Sequence, residues 1–309
     1  MTATPPEVFQ RVRRRSKQNM ATKGRHTSSK RPSHSTCAPI ALLTDFGWDG
    51  WYVGAMKGVI LSIHPTALIV DITHDVSAHA VAEGALLLNA VHRCFPEGTI
   101  FAAVVDPGVG SVREPIVVHA DGRYYVAPNN GLLSLVLRNS KEWECRLISN
   151  SKYFLDVVSS TFHGRDIFAP VAAHLARGVP LEEIAPQKTE CFHLSVATPS
   201  FSKEALEGHI IYFDRFGNAV TNISRDLFEE VFGRKRSKKQ QTSDTDAIRI
   251  SVGKYEFTKI DNTFSDVAPG MPVVYWGSMG TLEIGVNLGN AKACLGLNLL
   301  DRVIIRKAI

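Results

Sequence analysis

Apolar residues follow two alternating patterns between residues 39 and 190. Short continuous runs such as "ALIVDIT", "TIFAAVVD" and "PIVVHAD" end in turn-forming residues and are typical of buried strands. The segments "GWYVGAMKGVILSI" and "AVAEGALLLNAVHRCF" carry apolar residues at helical spacing, as does "DIFAPVAAHLARG", which ends in a glycine suited to a helix C-terminus. Strands this apolar, alternating with helices, predict an α/β domain over residues 39–190 with a mainly parallel sheet covered by helices on both faces.

The pattern changes beyond residue 190. Residues 191–205 follow neither period and are predicted to form a linker. Seven short, turn-separated β-rich segments come next: "GHIIYFD", "AVTNIS", "AIRISV", "KYEFTKI", "MPVVYWG", "TLEIGV" and "DRVIIR". They predict a smaller antiparallel β domain over residues 206–309. The polar stretch at residues 233–246 interrupts this domain and is predicted to be a solvated loop insertion.

Positive charge is concentrated at the start of the chain. Residues 1–38 hold nine Lys and Arg residues and a single acid, Glu7, which gives this tail a charge of +8. Because the whole chain has a net charge of +5, the remaining residues carry −3. The tail is predicted to be a disordered basic extension, with an organelle transit peptide and a phosphate-binding arm as alternatives. Because the body is mildly acidic, binding to nucleic acid is not expected.

Composition narrows the class further. The 309 residues contain no apolar run long enough to cross a membrane, so no membrane association is expected. The five cysteines are scattered and have no CxxC spacing, which argues against a disulfide framework or a zinc site and favours a reducing compartment. We therefore expect a cytoplasmic protein, or an organellar one if the basic tail is a transit peptide.

Two acidic residues follow strands of the predicted sheet. Asp45 ends the first strand, where open α/β sheets bind ligands, and it could hold a ribose diol or cap the following helix. In "VVDPGVGSVR", Gly108 and Gly110 allow a tight turn that lets Arg113 fold back onto Asp106. This pair is either a structural clamp on the turn or part of a reactive site.

Two further segments combine residue types that can bind a ligand. His163 precedes a helix in "TFHGRD", although a single histidine is more often structural than catalytic. In "YFDRFGN", Asp214, Phe216 and Asn218 surround a glycine turn and suit a ligand with a ring and an amino-acid head group, while a plain hairpin turn explains the same residues.

Several common motifs are missing from the chain. It contains no GxGxxG, GxxxxGK[ST], HExxH or GxSxG sequence. His74 and His79 in "DITHDVSAH" lack the spacing of metal ligands on a helix or a strand, so no metal site is expected.

Seven segments in order carry a resemblance to a known family: "LLTDFGWDGWYVGAMKGVI", "DITHDV", "VVDPGVGSVR", "APNNGLL", "TFHGRDIFAPVAAHLA", "YFDRFGNAVTNI" and "SMGTLEIGVNLG". Over residues 39–309, apart from the polar insertion, the chain resembles the S-adenosyl-L-methionine (SAM) hydroxide adenosyltransferases, which are related to fluorinase and chlorinase. The resemblance implies attack of water or hydroxide on C5′ of SAM, giving adenosine and L-methionine. SAM is then the substrate, and neither a cofactor nor a metal is needed.

The resemblance also implies a role for individual residues. It makes Asp106, Arg113 and His163 the catalytic residues. The implied substrate-binding residues are Asp45, Asp214, Phe216, Asn218, Ser278, Val286 and Leu288. Asp45 would hold the ribose hydroxyls, Asp214 and Asn218 the methionine or ribose end, and Phe216 would pack on the ligand. Ser278 and the backbone near Val286 and Leu288 would contact the methionine carboxylate or the adenine.

Relatives of this kind form homotrimers in which SAM binds between the N-terminal domain of one subunit and the C-terminal domain of its neighbour. The same arrangement is therefore expected here. Two alternatives stay open: a SAM-dependent halogenase and a protein that binds SAM or adenosine without turnover. His163 argues against the halogenase, because that branch lacks a histidine at this position. Asn129 departs from the pattern, since many relatives have an aspartate there.

Overall fold

The computed structural model describes residues 38–194, 198–202, 205–233 and 248–307. The predicted basic extension lies outside the described residues except for Ala38. The predicted insertion lies outside them except for Gly233, which ends a helix with φ +71°. The predicted domain boundaries stay predictions.

The first sheet has seven strands in the order β2-β1-β3-β5-β4-β6-β7 among the described residues. The four parallel strands are β1 (Ile40–Thr44), β2 (Ile69–Thr73), β3 (Ile100–Val104) and β5 (Arg123–Pro128). The antiparallel strands on one side are β4 (Pro115–Ala120), β6 (Trp143–Leu147) and β7 (Gln187–Lys188). The α/β class is confirmed. The sheet is mixed because β4 and β5 form an antiparallel hairpin.

Helices cover both faces of this sheet, as predicted. They are α1 (Tyr52–Ile63), α2 (Val81–Val91), α3 (Ser134–Arg138), α4 (Ala169–Ala176) and α5 (Leu181–Ile184). Because side chains alternate along a strand, Ile40 and Leu42 pack against α1 and α4, whereas Ala41 and Leu43 pack on the side of α2 and α3. None of the described helices is long and apolar enough to cross a membrane.

The second sheet is antiparallel and contains all seven of the β-rich segments expected beyond residue 205. Its strands are β8 (Ser200–Phe201), β9 (Ala205–Phe213), β10 (Ala219–Ser224), β11 (Ile248–Val252), β12 (Tyr255–Phe257), β13 (Pro272–Trp276), β14 (Thr281–Val286) and β15 (Arg302–Lys307). Their order is β12-β11-β15-β9-β10-β14-β13, with β8 beside β9. Two helices accompany them, α6 (Arg225–Phe232) and α7 (Ala291–Leu295).

The two sheets share part of one apolar core. Ile211 of β9 and Val220 of β10 belong to the same buried cluster as Leu86 and Leu88 of α2. Met279, in the turn between β13 and β14, packs against this cluster as well. The turn that carries Ser278 thus adjoins this shared core.

Candidate active site

The carboxyl ends of two neighbouring parallel strands place Asp45 and Asp106 on one edge of the first sheet. In the register of β1 and β3, Thr44 is paired with Val104. Asp45 follows Thr44 directly, and Asp106 comes two residues after Val104. This is the edge at which open α/β sheets bind their ligands.

Asp106 and Arg113 form the predicted ion pair. Arg113 Nε lies 2.9 Å from Oδ1 and 3.1 Å from Oδ2 of Asp106, and Nη2 also donates to Oδ2. The pair is largely removed from solvent, since the side chains of Arg113 and Asp106 are only 9% and 5% exposed. Several charge-assisted hydrogen bonds at such a buried position hold the guanidinium in one orientation.

Gly110 allows the loop between Asp106 and Arg113 to approach the segment that carries His163. Its φ is +76°, and a Cβ atom at this position would lie 2.3 Å from the backbone oxygen of Ser160. Only glycine fits this contact without a shift of backbone. The glycine motif therefore serves close packing of two loops.

His163 completes the group. Its Nδ1 lies 2.9 Å from Nη2 of Arg113. Burial and then the charge of Arg113 lower the pKa of His163 below its ordinary value, while Asp106 and Asp166 oppose this shift. Because a guanidinium can only donate, Nδ1 is the acceptor, and the proton of the neutral ring is on Nε2. The ring is also hydrogen-bonded to the backbone of Ser159, so His163 is fixed beside the guanidinium.

One hydrogen-bonding atom of Arg113 is left over. Nη1 is buried and has no hydrogen-bond partner among the described residues. The guanidinium also lies over the ring of Phe168, 5.3 Å from its centroid. A buried donor without an acceptor is rare in folded proteins, so this atom is suited to an oxygen that comes with a ligand or with water.

The buried carboxylate of Asp166 fixes the segment that carries His163. His163 precedes one turn of π-helix, Gly164–Phe168, which runs directly into α4. Asp166 in this turn is fully buried and accepts hydrogen bonds from the Ser159 backbone at 2.8 Å and from Arg165 Nε at 2.6 Å. Asp166 therefore ties the preceding loop to the helix rather than capping it.

Asp45 does not cap the helix that follows it, so this alternative is wrong. Helix α1 begins after Trp51, which makes no side-chain cap bond. Oδ2 of Asp45 instead accepts a hydrogen bond of 2.9 Å from the backbone of His79, a residue with φ +66°. The carboxylate is half-buried at the sheet edge, in a position that a ribose diol can reach.

The residues predicted in the second sheet lie at the turn between β9 and β10. Oδ1 of Asp214 accepts from the backbone N–H groups of Phe216 at 2.9 Å and Asn218 at 2.8 Å, and Oδ2 accepts from the Asn218 amide at 2.8 Å. The hairpin-turn interpretation therefore accounts for Asp214 and Asn218. Phe216 is 74% exposed at the tip of the turn, where its ring is free to pack on a ligand.

The remaining predicted contacts lie at opposite ends of β14. Ser278 is exposed in the turn between β13 and β14. Val286 is buried at the end of β14, and Leu288 is 89% exposed with φ +55°. Among the described residues, no hydrogen bond or ion pair joins these positions or Asp214 to the Asp106–Arg113–His163 group of the same chain.

Two features were not expected from the sequence. Asn129, the departure noted above, binds the chain at residues 190 and 192: its amide donates to Glu190 O at 2.9 Å and accepts from Phe192 N at 2.7 Å. Glu283 is buried in β14 and bonded to the Tyr275 hydroxyl at 2.8 Å. Burial raises the pKa of Glu283, the bond from Tyr275 opposes this, and the charge of Asp214 adds to it. A carboxylate inside the otherwise apolar "TLEIGV" was the available signal for Glu283.

Comparison with known proteins places both halves of the chain in one family. Residues 40–185 match the SAM hydroxide adenosyltransferase N-terminal domain, and residues 208–304 match the C-terminal domain. The chain belongs to the SAM hydroxide adenosyltransferase family. Asp45, Asp106, Arg113 and His163 all lie within the first matched range.

Individual relatives within this family carry two names. An (R)-S-adenosyl-L-methionine hydrolase from Thermus thermophilus is 35% identical over 270 residues, covering 84% of this chain and 96% of the relative. A fluorinase from an Actinoplanes species is 32% identical over 276 residues, covering 80% and 90%. The crystal structure of an uncharacterized conserved protein from Thermotoga maritima is 39% identical with a TM-score of 0.76, covering 86% of this chain and 99% of the other. The protein is thus an enzyme of this family, and overall identity does not separate hydrolysis from halogenation.

Proposed function

We propose that the protein hydrolyses SAM to adenosine and L-methionine by attack of water on C5′. The proposal rests on the bonded group of Asp106, Arg113 and His163, in which Nη1 of Arg113 is buried without a partner among the described residues. An oxygen at Nη1 would satisfy this donor. A water molecule that accepts one hydrogen bond from Nη1 and donates one to the carboxylate of Asp106 keeps a lone pair for attack.

The chemistry requires little beyond positioning and one weak base. The oxygen of water forms a bond to C5′ while the C5′–S bond breaks, and the electron pair stays on sulfur as the neutral thioether of methionine. No acid is needed, since a sulfonium is an excellent leaving group. The proton of the attacking water becomes acidic as the C–O bond forms, so the carboxylate of Asp106 can accept it. In-line placement of the reactants contributes up to about 7–11 kcal/mol.

Asp45 and the exposed residues of the second sheet are the proposed substrate contacts. Asp45 holds the ribose hydroxyls, and Phe216 packs on the ligand together with contacts from Ser278 and the backbone near Val286 and Leu288. Asp214 and Asn218 act by fixing the hairpin that presents Phe216, in agreement with their mutual bonds. Several relatives are named for the (R) epimer of SAM. The proposed substrate is accordingly the (R)-sulfonium form.

The active unit is proposed to be a homotrimer with sites between subunits. Apolar side chains are exposed next to both groups of site residues: Trp48 (53%), Trp51 (60%) and Val112 (101%) on the first sheet, and Phe216 and Leu288 on the second. Exposed apolar surface of this kind marks interaction sites. A neighbouring subunit and the substrate together would cover it.

The test is product identification. Purified protein is incubated with (R)-SAM and (S)-SAM in water enriched in ¹⁸O, with and without chloride, and the nucleoside is identified by chromatography and mass. We expect labelled adenosine in both salts and faster consumption of the (R) epimer. A 5′-halogenated nucleoside would identify the protein as a halogenase and refute the proposed hydrolysis. SAM that is bound but not consumed would make it a binding protein and would refute the catalytic assignment.

A further inference from the structure

Behind Asp45 lies a chain of hydrogen bonds that the proposed reaction does not use. Lys57 Nζ is 2.7 Å from Asp71 Oδ2, and Asp71 Oδ1 is 3.0 Å from His74 Nε2. His74 Nδ1 lies 2.8 Å from the hydroxyl of Thr44, which is 3.2 Å from the backbone N–H of Phe46. The chain thus runs from a surface lysine to the first residue after Asp45.

The chain of hydrogen bonds is continuous from both ends. The Phe46 N–H donates to Thr44 Oγ1, whose hydroxyl bonds to Nδ1 of His74. Nε2 of His74 bonds to Asp71, to which Lys57 donates from the other side. Burial disfavours ionisation of Asp71, but the hydrogen bonds from Lys57 and His74 outweigh it and lower the pKa of its carboxyl. Asp71 is therefore an anion that can only accept.

The same histidine holds the loop after β1 by two more contacts. Its backbone oxygen accepts from the N–H of Gly47 at 2.8 Å. Its ring meets the edge of Trp48 at 4.7 Å between centroids. Five residues after His74 this segment reaches His79, whose N–H donates to Asp45 Oδ2 at 2.9 Å. Thr44 and His74 are both fully buried, so the contacts form a rigid base under an exposed loop.

We infer that Thr44 and His74 are positioning residues that set the Asp45–Trp48 loop for substrate binding. The inference rests on the proposed function, because it takes Asp45 as a ribose ligand. It assigns a role to "DITHDV" that neither metal binding nor direct contact with substrate supplies. Loss of the Thr44 hydroxyl should weaken substrate binding and leave the rate of the bound substrate nearly unchanged, since the loop does not touch Asp106, Arg113 or His163 by hydrogen bonds among the described residues.

The chain offers a matched control for this test. His92 is a second buried histidine whose Nδ1 binds a single hydroxyl, that of Tyr125, at 2.8 Å. Thr44→Val and Tyr125→Phe therefore each remove one buried hydroxyl from the Nδ1 of a histidine while keeping the shape of the side chain. Only the first lies under the Asp45 loop. Thr44→Ser restores the hydroxyl and serves as the rescue variant.

The experiment compares the three variants with the unchanged protein in steady-state kinetics with SAM, in thermal unfolding and in hydrogen exchange. We expect Thr44→Val and Tyr125→Phe both to lower Tm, while only Thr44→Val raises KM, by about tenfold, with kcat nearly unchanged. Thr44→Ser should restore KM. Equal changes of KM in Thr44→Val and Tyr125→Phe, or a change in kcat alone, would overturn the inference.

Hydrogen exchange separates this inference from the proposed reaction. The amides of Gly47 and His79 do not bond to Thr44, yet they should exchange faster in Thr44→Val and keep their protection in Tyr125→Phe. This readout needs no substrate. Unchanged exchange at both amides would contradict the positioning role even if SAM is consumed. Faster exchange in a protein that does not consume SAM would support the role and reject the proposed reaction.

Discussion

The reacting group on the first sheet and the ligand-facing residues on the second sheet are prepared to different degrees. Asp106, Arg113 and His163 are linked by hydrogen bonds within one chain, and the Asp106–Arg113 pair is withdrawn from solvent. Phe216 and Leu288 are 74% and 89% exposed, and the bonds at their hairpin are internal to the turn. One region holds its reactive atoms in place before substrate arrives. The other presents apolar surface that nothing among the described residues covers.

This difference has a physical reason. A charged group that must act on a developing bond is effective only when its orientation is set in advance and water is excluded, because reorganisation during the reaction is costly. Contacts that hold the body of a substrate carry no such requirement, and apolar rings can stay exposed until a ligand or a neighbouring subunit packs on them. Changes in the first region should therefore affect kcat, and changes in the second should affect KM.

Arg113→Lys gives the largest expected effect. The ammonium keeps the positive charge, yet it cannot bind both oxygens of Asp106 and Nδ1 of His163 in the same geometry. We expect kcat to fall by about 10²–10³-fold with little change in KM, measured by adenosine release at saturating SAM. Arg302→Lys is the control, because Arg302 makes a comparable two-bond pair with Glu207 on the surface of the second sheet. Equal losses in both variants would mean that the first pair is only structural.

A mixing experiment examines whether the two regions meet across subunits. His163→Ala disables the first region, and Phe216→Asp places a charge at the exposed tip of the second without disturbing the core. Each variant alone should be nearly inactive. In trimers that contain both variants, one of the three sites should be restored, since each intact half then comes from a different subunit.

Mixed trimers are obtained by co-expression with two different tags and sequential purification. Mixtures of His163→Ala with Asp45→Ala, which both change the first sheet, provide the control and should regain much less activity. Mixed assemblies that recover no activity would show that both halves of a site come from one chain. A monomer by light scattering would contradict the trimer itself.

The sequence predicted the elements of both regions better than it predicted their bonds. Continuous apolar runs identified β1 and β3, and their carboxyl ends placed Asp45 and Asp106 correctly, because strand position follows from local pattern. The sequence pattern did not identify β6, whose "WECRL" mixes charged and apolar residues at the edge of the sheet. Helices α6 and α7 were also missed, since each is short and lies between strands of a β-rich region.

Long-range contacts account for most of what the sequence alone could not provide. Fifty residues separate Arg113 from His163, and the bond between them depends on Gly110 meeting Ser160. Thirty residues separate Thr44 from His74. The spacing of "DITHDVSAH" argued against a metal site but gave no sign of a hydroxyl partner. Local pattern therefore sufficed for the Asp106–Arg113 pair, seven residues apart, and not for the contacts that surround it.

Phe216→Ala tests whether the exposed ring in the second region contributes to SAM binding. An aromatic ring that packs on a ligand contributes about 1 kcal/mol or more, so KM for SAM should rise about fivefold to tenfold. Because Phe216 is exposed, Tm should stay unchanged in differential scanning fluorimetry. Asp214→Ala is the contrasting variant: it removes three hydrogen bonds of the hairpin and should lower Tm as well. If Phe216→Ala left KM unaltered, the ring would have no part in binding.

The pH dependence of the first region gives the smallest expected effect. His163 must be neutral to accept the bond from Arg113, and protonation would place a second cation beside the guanidinium. Since burial and Arg113 lower the pKa of His163, activity should persist as pH falls below the ordinary histidine value of about 6.5 and decline only at lower pH. The profile of kcat/KM for SAM measures this, with circular dichroism confirming that the fold persists at each pH. His163→Gln, which cannot be protonated, should be slower and lack this decline. If kcat/KM instead declined at a pH above the ordinary histidine pKa, carboxylates would have to dominate the surroundings of the ring. That result would contradict the geometry that joins His163 to Arg113.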